Sequence, residues 1–271
     1  MLALNLTIGI FVALLGLAFG SFLNVCIARL PRHESIVSPP SHCPHCGAPI
    51  LTRDNIPLLS YLLLGRRCRS CHGAISWRYP AVELANASLW LACFLQFGTT
   101  PQAAAMAILC FLALGLAVMD AETMLLPDAF TLPGIALGIL WTAVGADGGW
   151  LEKLRAAGMS ALWAAAAAGV ILLIRAAYWL VRRREGMGLG DAKLFAMLAA
   201  WLGWQQALLI LFLAVIVGAL YGVLILARRG RDRTNTPIPA RVPLGSFLCV
   251  ATIYAVFLGP QTVGWYLGFF R

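Results

Sequence analysis

Charged residues are scarce in this sequence. Only 11% of its 271 residues are Asp, Glu, Lys or Arg, and 61% are hydrophobic, whereas a soluble globular chain has about 25% charged and about 45–50% apolar residues. This composition excludes an ordinary soluble domain and indicates a polytopic membrane protein. The formal net charge is +9, but the basic residues flank apolar runs, so we attribute the charge to membrane topology and predict no nucleic-acid partner.

Basic residues are absent before the first apolar run, and the first of them is Arg29. A cleavable signal peptide begins with a positively charged region, so we expect this run to be retained as a first helix with its N-terminus outside. A helix needs about 20 apolar residues to cross the lipid bilayer. The apolar runs predict eight spans, near residues 5–28, 81–98, 102–119, 129–146, 158–181, 191–203, 206–227 and 243–260.

The predicted fold is therefore an all-α polytopic membrane protein of about eight transmembrane helices with one polar cytoplasmic loop, roughly residues 31–79. With the N-terminus outside, 16 of the 20 basic residues fall on the cytoplasmic side, which agrees with the positive-inside rule. The same layout puts Asp120, at the end of the third span, and Asp191, at the start of the sixth, at the cytoplasmic face.

The polar loop contains two Cys-x-x-Cys pairs separated by 21 residues, Cys43 with Cys46 and Cys68 with Cys71. This spacing is typical of a structural site in which four thiolates hold zinc tetrahedrally. Two disulfides are the alternative, but a cytoplasmic loop is in a reducing compartment. The chain has no His-Glu-x-x-His motif, and a four-thiolate site leaves no position open for water, so we predict a structural zinc.

Acidic residues at the ends of membrane spans are functional candidates. Two carboxyl groups that share a proton can hydrolyse a peptide bond: the ionised one takes a proton from water and the protonated one polarises the carbonyl. Asp191 follows Gly188 and Gly190, which would let a substrate backbone approach closely. An aspartate at a helix start is, however, often only an N-cap, and Asp128 fits that role. Asp120 ends a helix, where the macrodipole disfavours an acid.

These blocks resemble those of the type IV prepilin leader peptidases, an aspartic family of bacterial inner membranes. "AVMDAETMLLPDAFTLP" (117–133) is similar to the first catalytic block, and "GMGLGDAKLFA" (186–196) to the Gly-x-Gly-Asp block. "GSFLNVCIARLP" (20–31), the cysteine pairs, "SWRYPAVELANA" (76–87) and "RVPLGSFL" (241–248) follow in the family order, although the family more often has Phe-Gly-Pro in the last block.

The resemblance implies that Asp120 and Asp191 are catalytic, and that residues 99–271 form a six-span peptidase part. Residues 1–98, with the zinc loop, would be the methyltransferase-associated part. The substrates would be prepilins or type II secretion pseudopilins, cut at the cytoplasmic face, often after glycine, and then N-methylated with S-adenosylmethionine. The sequence shows no glycine-rich nucleotide-binding turn, so methylation rests on the resemblance alone, and the cofactor site stays unassigned.

Two alternatives remain open. The first is a peptidase alone, with the zinc loop as a structural element. The second is a non-enzymatic membrane scaffold or a transporter whose aspartates bind protons or partners, although a transporter would be expected to carry acids near the membrane midplane and inverted repeats.

Overall fold

The computed structural model describes residues 2–183, 188–229 and 243–269. Within these ranges the regular structure is helical, apart from two isolated β-bridges in the cysteine loop. The α-helices are α1 (Leu2–Arg29), α2 (Leu59–Leu63), α3 (Arg78–Phe97), α4 (Pro101–Thr123), α5 (Asp128–Val144), α6 (Trp150–Arg182), α7 (Leu189–Arg229) and α8 (Leu244–Gly268). Short 3-10 helices lie at Leu30–Arg32 and Thr52–Asp54.

Five of the described helices, α1, α4, α6, α7 and α8, are long and apolar enough to cross a membrane. Helix α5 is apolar but has only 17 residues, and α3 has 20 residues but is less apolar than the five candidate spans. An all-helical protein with several membrane-spanning helices is thus confirmed, whereas the number of eight spans stays a prediction.

Helix α7 contains both the sixth and the seventh predicted span. A straight helix of its 41 residues would be about 60 Å long, twice the thickness of the hydrocarbon core. The helix is broken at Gly203, whose φ of 76° and ψ of 172° are not helical. Glycine adopts this backbone conformation without the steric cost that a side chain would add. The break falls between the two predicted spans.

Several basic residues used in the topology prediction lie outside the described residues: Arg184, Arg231, Arg233, Arg241 and Arg271. The beginning of the last motif, Arg241 and Val242, also lies outside them. The structure therefore neither supports nor opposes the placement of these parts of the chain.

The chain divides into two compact units, Met1–Gly115 and Leu116–Arg271. In the first unit, α1 packs against α3. A Cβ atom added to Gly20 would lie 2.7 Å from Glu83 Cα, so the small residue lets the two backbones approach closely. Polar side chains also join the two helices: Asn86 donates to the Gly16 carbonyl at 2.7 Å and Asn24 to the Tyr79 carbonyl at 3.0 Å.

In the second unit, α7 packs against α5, α6 and α8. The carbonyl of Ala200, three residues before the break in α7, accepts hydrogen bonds from Ser160 of α6 at 2.9 Å and from Thr142 of α5 at 3.1 Å. Trp201 Nε1 donates to the Gly134 carbonyl of α5 at 2.8 Å. Polar contacts therefore hold the first half of α7, which carries Asp191 at its start, against α5 and α6.

Candidate active site and metal centre

Asp120 lies in the last turn of α4 and is only 5% exposed. Its Oδ2 atom accepts two hydrogen bonds from Ser246, one from the backbone N–H at 2.7 Å and one from the hydroxyl at 3.0 Å. The hydroxyl oxygen also lies 2.9 Å from the carbonyl oxygen of Ala117. The carboxyl group of Asp120 is thus fixed in position by the first turn of α8.

This contact supplies the N-terminus of α8 with an acceptor. The N-cap residue, Pro243, makes no side-chain cap hydrogen bond, and the first N–H groups of a helix have no partners within the helix. A Cβ atom on Gly245 would lie 3.0 Å from both Cγ and Oδ2 of Asp120, so the absence of a side chain there permits the approach. The dipole of α4 disfavours a negative charge at its C-terminal end. This unfavourable interaction is offset, because the carboxyl group of Asp120 faces the positive end of the α8 dipole.

Asp191 is the third residue of α7 and is half-buried. Its Oδ2 atom accepts the backbone N–H of Gly188 at 3.2 Å, in the manner of the acidic residue of a capping box. The sequence alone also allowed Asp191 to be only an N-cap. In the structure Asp191 does accept a capping hydrogen bond, but it lies inside the first turn and reaches back to Gly188, the residue before the helix. Like Asp120, Asp191 uses Oδ2 in this contact.

The fold brings Asp120 and Asp191 into the same part of the second unit. Leu126 packs against a neighbour of each aspartate: Cβ atoms on Gly190, which precedes Asp191, and on Gly245, which approaches Asp120, would each lie 3.0 Å from its side chain. Cys249 is fully buried in α8, three residues after Ser246.

Asp128 is engaged differently. It is the first residue of α5 and not its N-cap, which is Pro127. Both of its carboxylate oxygens accept hydrogen bonds from Lys193 Nζ, at 2.6 and 2.8 Å, and its side chain is 57% exposed. The cap role expected for Asp128 is thus replaced by an ion pair that joins the start of α5 to the start of α7.

The two glycines before Asp191 differ in their surroundings. Gly188 is exposed and lies just before α7. Gly190 is inside the first turn, where Leu126 leaves little room for a side chain. Neither has the left-handed backbone that requires glycine. Close packing explains Gly190, whereas a Cβ atom on Gly188 would lie 3.4 Å from Asp191 Oδ2.

The four cysteines of the first unit form a cluster with the dimensions of a zinc site. Their sulfur atoms all lie within 4.8 Å of one another, and the Sγ atoms of Cys43 and Cys71 are 3.8 Å apart. Four thiolates around zinc, with Zn–S bonds of about 2.3 Å, have sulfurs about 3.8 Å apart. The donor set therefore fits a tetrahedral, closed zinc site, and all four cysteines have free thiols.

The two cysteine pairs have the same backbone turn. In the first, Cys43 N donates to the Ala48 carbonyl and Gly47 N to the Cys43 carbonyl, and in the second Cys68 and His72 repeat the pattern. The residue four after the first cysteine has positive φ in both, Gly47 at 71° and His72 at 56°. In the second turn a histidine, and not a glycine, takes the left-handed position.

The thiols of the cluster differ in acidity. Backbone N–H groups of Cys71 and Ser70 hydrogen-bond to the Cys68 sulfur and lower the pKa of this thiol to about 6. The N–H of Gly73 also lowers the pKa of the Cys71 thiol. The hydrogen bond with the Cys46 sulfur and desolvation raise this pKa by more, so the pKa of Cys71 is about 11. Four crowded thiols do not all ionise at neutral pH alone, whereas a bound divalent cation ionises its thiol ligands.

Comparison with known proteins identifies the family. The profile of the Bacterial Peptidase A24 N-terminal domain matches residues 14–97, and that of the Type IV leader peptidase family matches residues 106–223. The prepilin leader peptidase/N-methyltransferase of Pseudomonas aeruginosa is 40% identical over 94% of this chain and 92% of its own length. The chain belongs to the type IV leader peptidase family.

Two further relatives of the same name support this membership. The one from Myxococcus xanthus is 41% identical over 87% of this chain and 68% of its own length, and the one from Stutzerimonas stutzeri is 38% identical over 95% and 93%. No solved structure matches the chain significantly. The resemblance to prepilin leader peptidases is confirmed, and this member of the family is an enzyme.

The sequence did not single out three residues that contact the aspartates or lie beside them: Ser246, Cys249 and Lys193. Ser246 and Cys249 lie beyond the region that the peptidase profile matches. A signal for Ser246 was nevertheless present, because it follows Pro243 at the start of an apolar run, where a helix begins with free N–H groups. The sequence did not indicate which distant carboxyl group would accept these N–H groups.

Proposed function

We propose that this protein is a membrane aspartic endopeptidase that removes the leader of type IV prepilins or type II secretion pseudopilins, with Asp120 and Asp191 as the catalytic pair. The observation that carries the proposal is the pairing itself. Two aspartates 71 residues apart in sequence lie in one unit, where Leu126 packs against both Gly190 and Gly245, and each aspartate accepts a backbone N–H at the start of a helix. Family membership supports the same activity.

The arrangement suits general acid–base hydrolysis. The described hydrogen bonds of both aspartates use Oδ2, which leaves Oδ1 of each for water or substrate. The ionised carboxylate takes a proton from water, whose oxygen adds to the peptide carbonyl carbon, while the protonated carboxyl group donates to the carbonyl oxygen. When the C–N bond breaks, the leaving amine takes up a proton and the pair returns to one shared proton. We do not assign the two roles to individual aspartates.

We propose that Gly188 and Gly190 give the substrate backbone access to the pair. Gly188 is exposed, and its position lies beside the Asp191 carboxyl group. Because it has no side chain, an extended substrate can approach the Asp191 carboxyl group there. Gly190 contributes indirectly, because it lets Leu126 pack under the first turn of α7.

Topology supports cleavage at the cytoplasmic face of a bacterial inner membrane. The excess of basic residues on one side of the predicted spans favours eight crossings with the N-terminus outside, and both aspartates are then cytoplasmic. The same proposal divides the chain into a methyltransferase-associated part, residues 1–98, and a six-span peptidase part, residues 99–271. The lipid bilayer is the medium in which both parts work.

We propose that the enzyme then methylates the new N-terminus, because three relatives that cover most of the chain are named as N-methyltransferases. S-adenosylmethionine supplies the methyl group in such a reaction. A cavity lined by Leu172, Arg175, Ala176 and Trp179 has no carboxylate in its lining to hold the amino group of this cofactor. It does not fit, so we assign no residues to the cofactor.

For the cysteine cluster we propose a structural zinc ion held by Cys43, Cys46, Cys68 and Cys71. Four sulfurs at tetrahedral spacing leave no position for a catalytic water, and the aspartic chemistry needs no metal. The ion would join the two cysteine turns.

Intact mass spectrometry of a prepilin co-expressed with the protein tests the function. The intact chain should remove the leader, and Asp120→Asn and Asp191→Asn should each leave the prepilin uncut. Asp128→Asn is the matched control, since its carboxyl group is ion-paired with Lys193, and it should cut normally. A product carrying one added methyl group would establish the second activity, whereas a cut but unmethylated product would leave a peptidase alone.

The scaffold or transporter alternative predicts the opposite result. If the folded wild-type chain leaves several different prepilins uncut, and the two aspartate variants behave no differently, the peptidase assignment is wrong.

A further inference from the structure

The hydroxyl group of Ser246 has two acceptors within hydrogen-bond distance but only one hydrogen. Its oxygen lies 3.0 Å from Asp120 Oδ2 and 2.9 Å from the Ala117 carbonyl oxygen. A serine hydroxyl donates once and accepts through its lone pairs, so the two contacts cannot both be donated at one time. The hydroxyl hydrogen must point to one of the two oxygens.

Each of the two directions suits one protonation state of Asp120. When Asp120 is ionised, the hydroxyl donates to Oδ2, which also accepts the Ser246 backbone N–H. When Asp120 is protonated on Oδ1, Oδ2 becomes a weaker, neutral acceptor, and the hydroxyl turns its hydrogen to the Ala117 carbonyl, while the backbone N–H stays on Oδ2. In both states the heavy atoms stay in place, so the carboxyl group keeps its position while its charge changes.

The surroundings allow this exchange without disturbing either helix. The Ala117 carbonyl has two lone pairs, so it can accept the hydroxyl in addition to an N–H of its own helix, α4. Ser246 is the third residue of α8, and its N–H is one of the four that have no acceptor within a helix. Gly245 lets this turn approach the carboxyl group.

We propose that Ser246 is a positioning residue for the reaction, and that its hydroxyl turns between Asp120 and Ala117 as Asp120 loses and regains its proton. This inference rests on the proposed peptidase function. It deepens that function by giving one member of the catalytic pair a partner that serves both of its protonation states. No covalent bond of Ser246 changes, and the proton of Asp120 is exchanged only with water, with the substrate carbonyl oxygen or with the leaving amine.

Three substitutions test the two hydrogen bonds separately. Ser246→Ala removes the hydroxyl and keeps the N–H, and kcat should fall about 10-fold, because a hydrogen bond to a charged group is lost. Ser246→Pro removes both donors, at a position in the first turn of α8 where the N–H has no acceptor within the helix, and kcat should fall about 10-fold further. Ser246→Thr keeps both donors and should retain the wild-type kcat. KM should change little in all three.

The pH dependence of kcat separates positioning from a merely structural role. Ser246→Ala and Ser246→Pro should displace the pH of maximal kcat, whereas Ser246→Thr should keep the wild-type profile. Thr252→Val is the matched control, because it removes a buried hydroxyl that donates to a backbone carbonyl within the same helix, α8. It should leave the pH profile unchanged when rates are expressed per folded molecule.

The outcomes distinguish this inference from the function on which it rests. Wild-type kcat and pH profile in Ser246→Ala and Ser246→Pro, with Asp120→Asn inactive, would refute the role of Ser246 alone. A Thr variant as slow as the Ala variant would also refute it, because side-chain packing and not the hydroxyl would then be responsible. An active Asp120→Asn enzyme would refute both the catalytic pair and the role of Ser246.

Discussion

At the scale of single residues, capping and catalysis are compatible roles for the same carboxyl group. Asp191 bonds the N–H before its own helix, and Asp120 bonds an N–H in the first turn of a helix more than a hundred residues away. Each uses one oxygen for this contact. A helix start therefore orients each carboxyl group, and the remaining oxygen is available for chemistry.

Gly245 is the residue for which we expect the sharpest local effect. In Gly245→Ala the new Cβ would lie 3.0 Å from Cγ and Oδ2 of Asp120, so the first turn of α8 and the carboxyl group must move apart. Displacing a catalytic group by about 1 Å costs about 100-fold in rate. Prepilin cleavage should fall by about that factor, measured as kcat per folded molecule, while the protein remains folded.

Gly222→Ala is the control for this substitution. Gly222 lies in α7 with no atom near its Cβ position, and alanine is the better helix former. It should cleave at the wild-type rate. Equal activity in the two variants would show that α8 does not need its close contact with Asp120.

At the scale of elements, the break in α7 depends on its neighbours. Ser160 and Thr142 come from two different helices and donate to the same carbonyl, that of Ala200. Trp201 adds a third contact to α5. These contacts fix the half of α7 that begins at Asp191, so the position of the candidate site depends on hydrogen bonds near the other end of that half-helix.

Removing both hydroxyl groups should therefore destabilise the second unit. In the double variant Thr142→Val with Ser160→Ala, the Ala200 carbonyl loses two donors, and we expect the free energy of unfolding to fall by about 1–3 kcal/mol. Unfolding in detergent measures the change. Thr262→Val removes a hydroxyl that is exposed and bonded to its own helix, and it should be nearly neutral; a double variant as stable as this control would contradict the prediction.

The cysteine loop is a second element whose geometry makes a prediction. Cys43→Ser and Cys71→Ser each remove one of four ligands, and purified protein should lose its stoichiometric zinc. His42→Ala should keep it, because the imidazole bonds only a nearby carbonyl in the described structure. Metal analysis of the purified variants measures this, and chelated but folded enzyme should still cleave prepilin. Direct loss of hydrolysis on chelation would show that the zinc is catalytic.

At the scale of the whole molecule, the prediction to be tested is the number of membrane-spanning segments. Five described helices are long enough to span by themselves, while α5 is short and α7 is long enough for two crossings with its break at Gly203. With eight crossings and an external N-terminus, the polar loop of residues 31–79 is cytoplasmic and the α5–α6 connection is outside.

Reporter fusions test that arrangement. Alkaline phosphatase fused after Gly65 should be inactive, because the enzyme needs an oxidising compartment, and fusions after Asp147 and after Gly203 should be active. Fluorescent-protein fusions at the same positions should give the reverse pattern. An inactive phosphatase after Gly203 would mean that α7 does not return across the membrane there.

The sequence alone predicted the membrane class, the segments that form the apolar helices, the zinc-type cysteine spacing and the two candidate aspartates. These features depend on composition, periodicity and short-range spacing, which are local properties of the chain. Spacing could indicate that Cys43 and Cys71 belong to one cluster because each pair has a fixed geometry on its own turn.

Only the tertiary structure decided which groups meet across long stretches of chain. The hydrogen bonds from Ser246 to Asp120, from Lys193 to Asp128 and from Ser160 to Ala200 each join residues at least 40 positions apart. Helix periodicity specifies which face is apolar, but not which helix start faces a distant carboxyl group. Helix packing decides that: at Asp120, for example, Gly245 lets the first turn of α8 approach the carboxyl group.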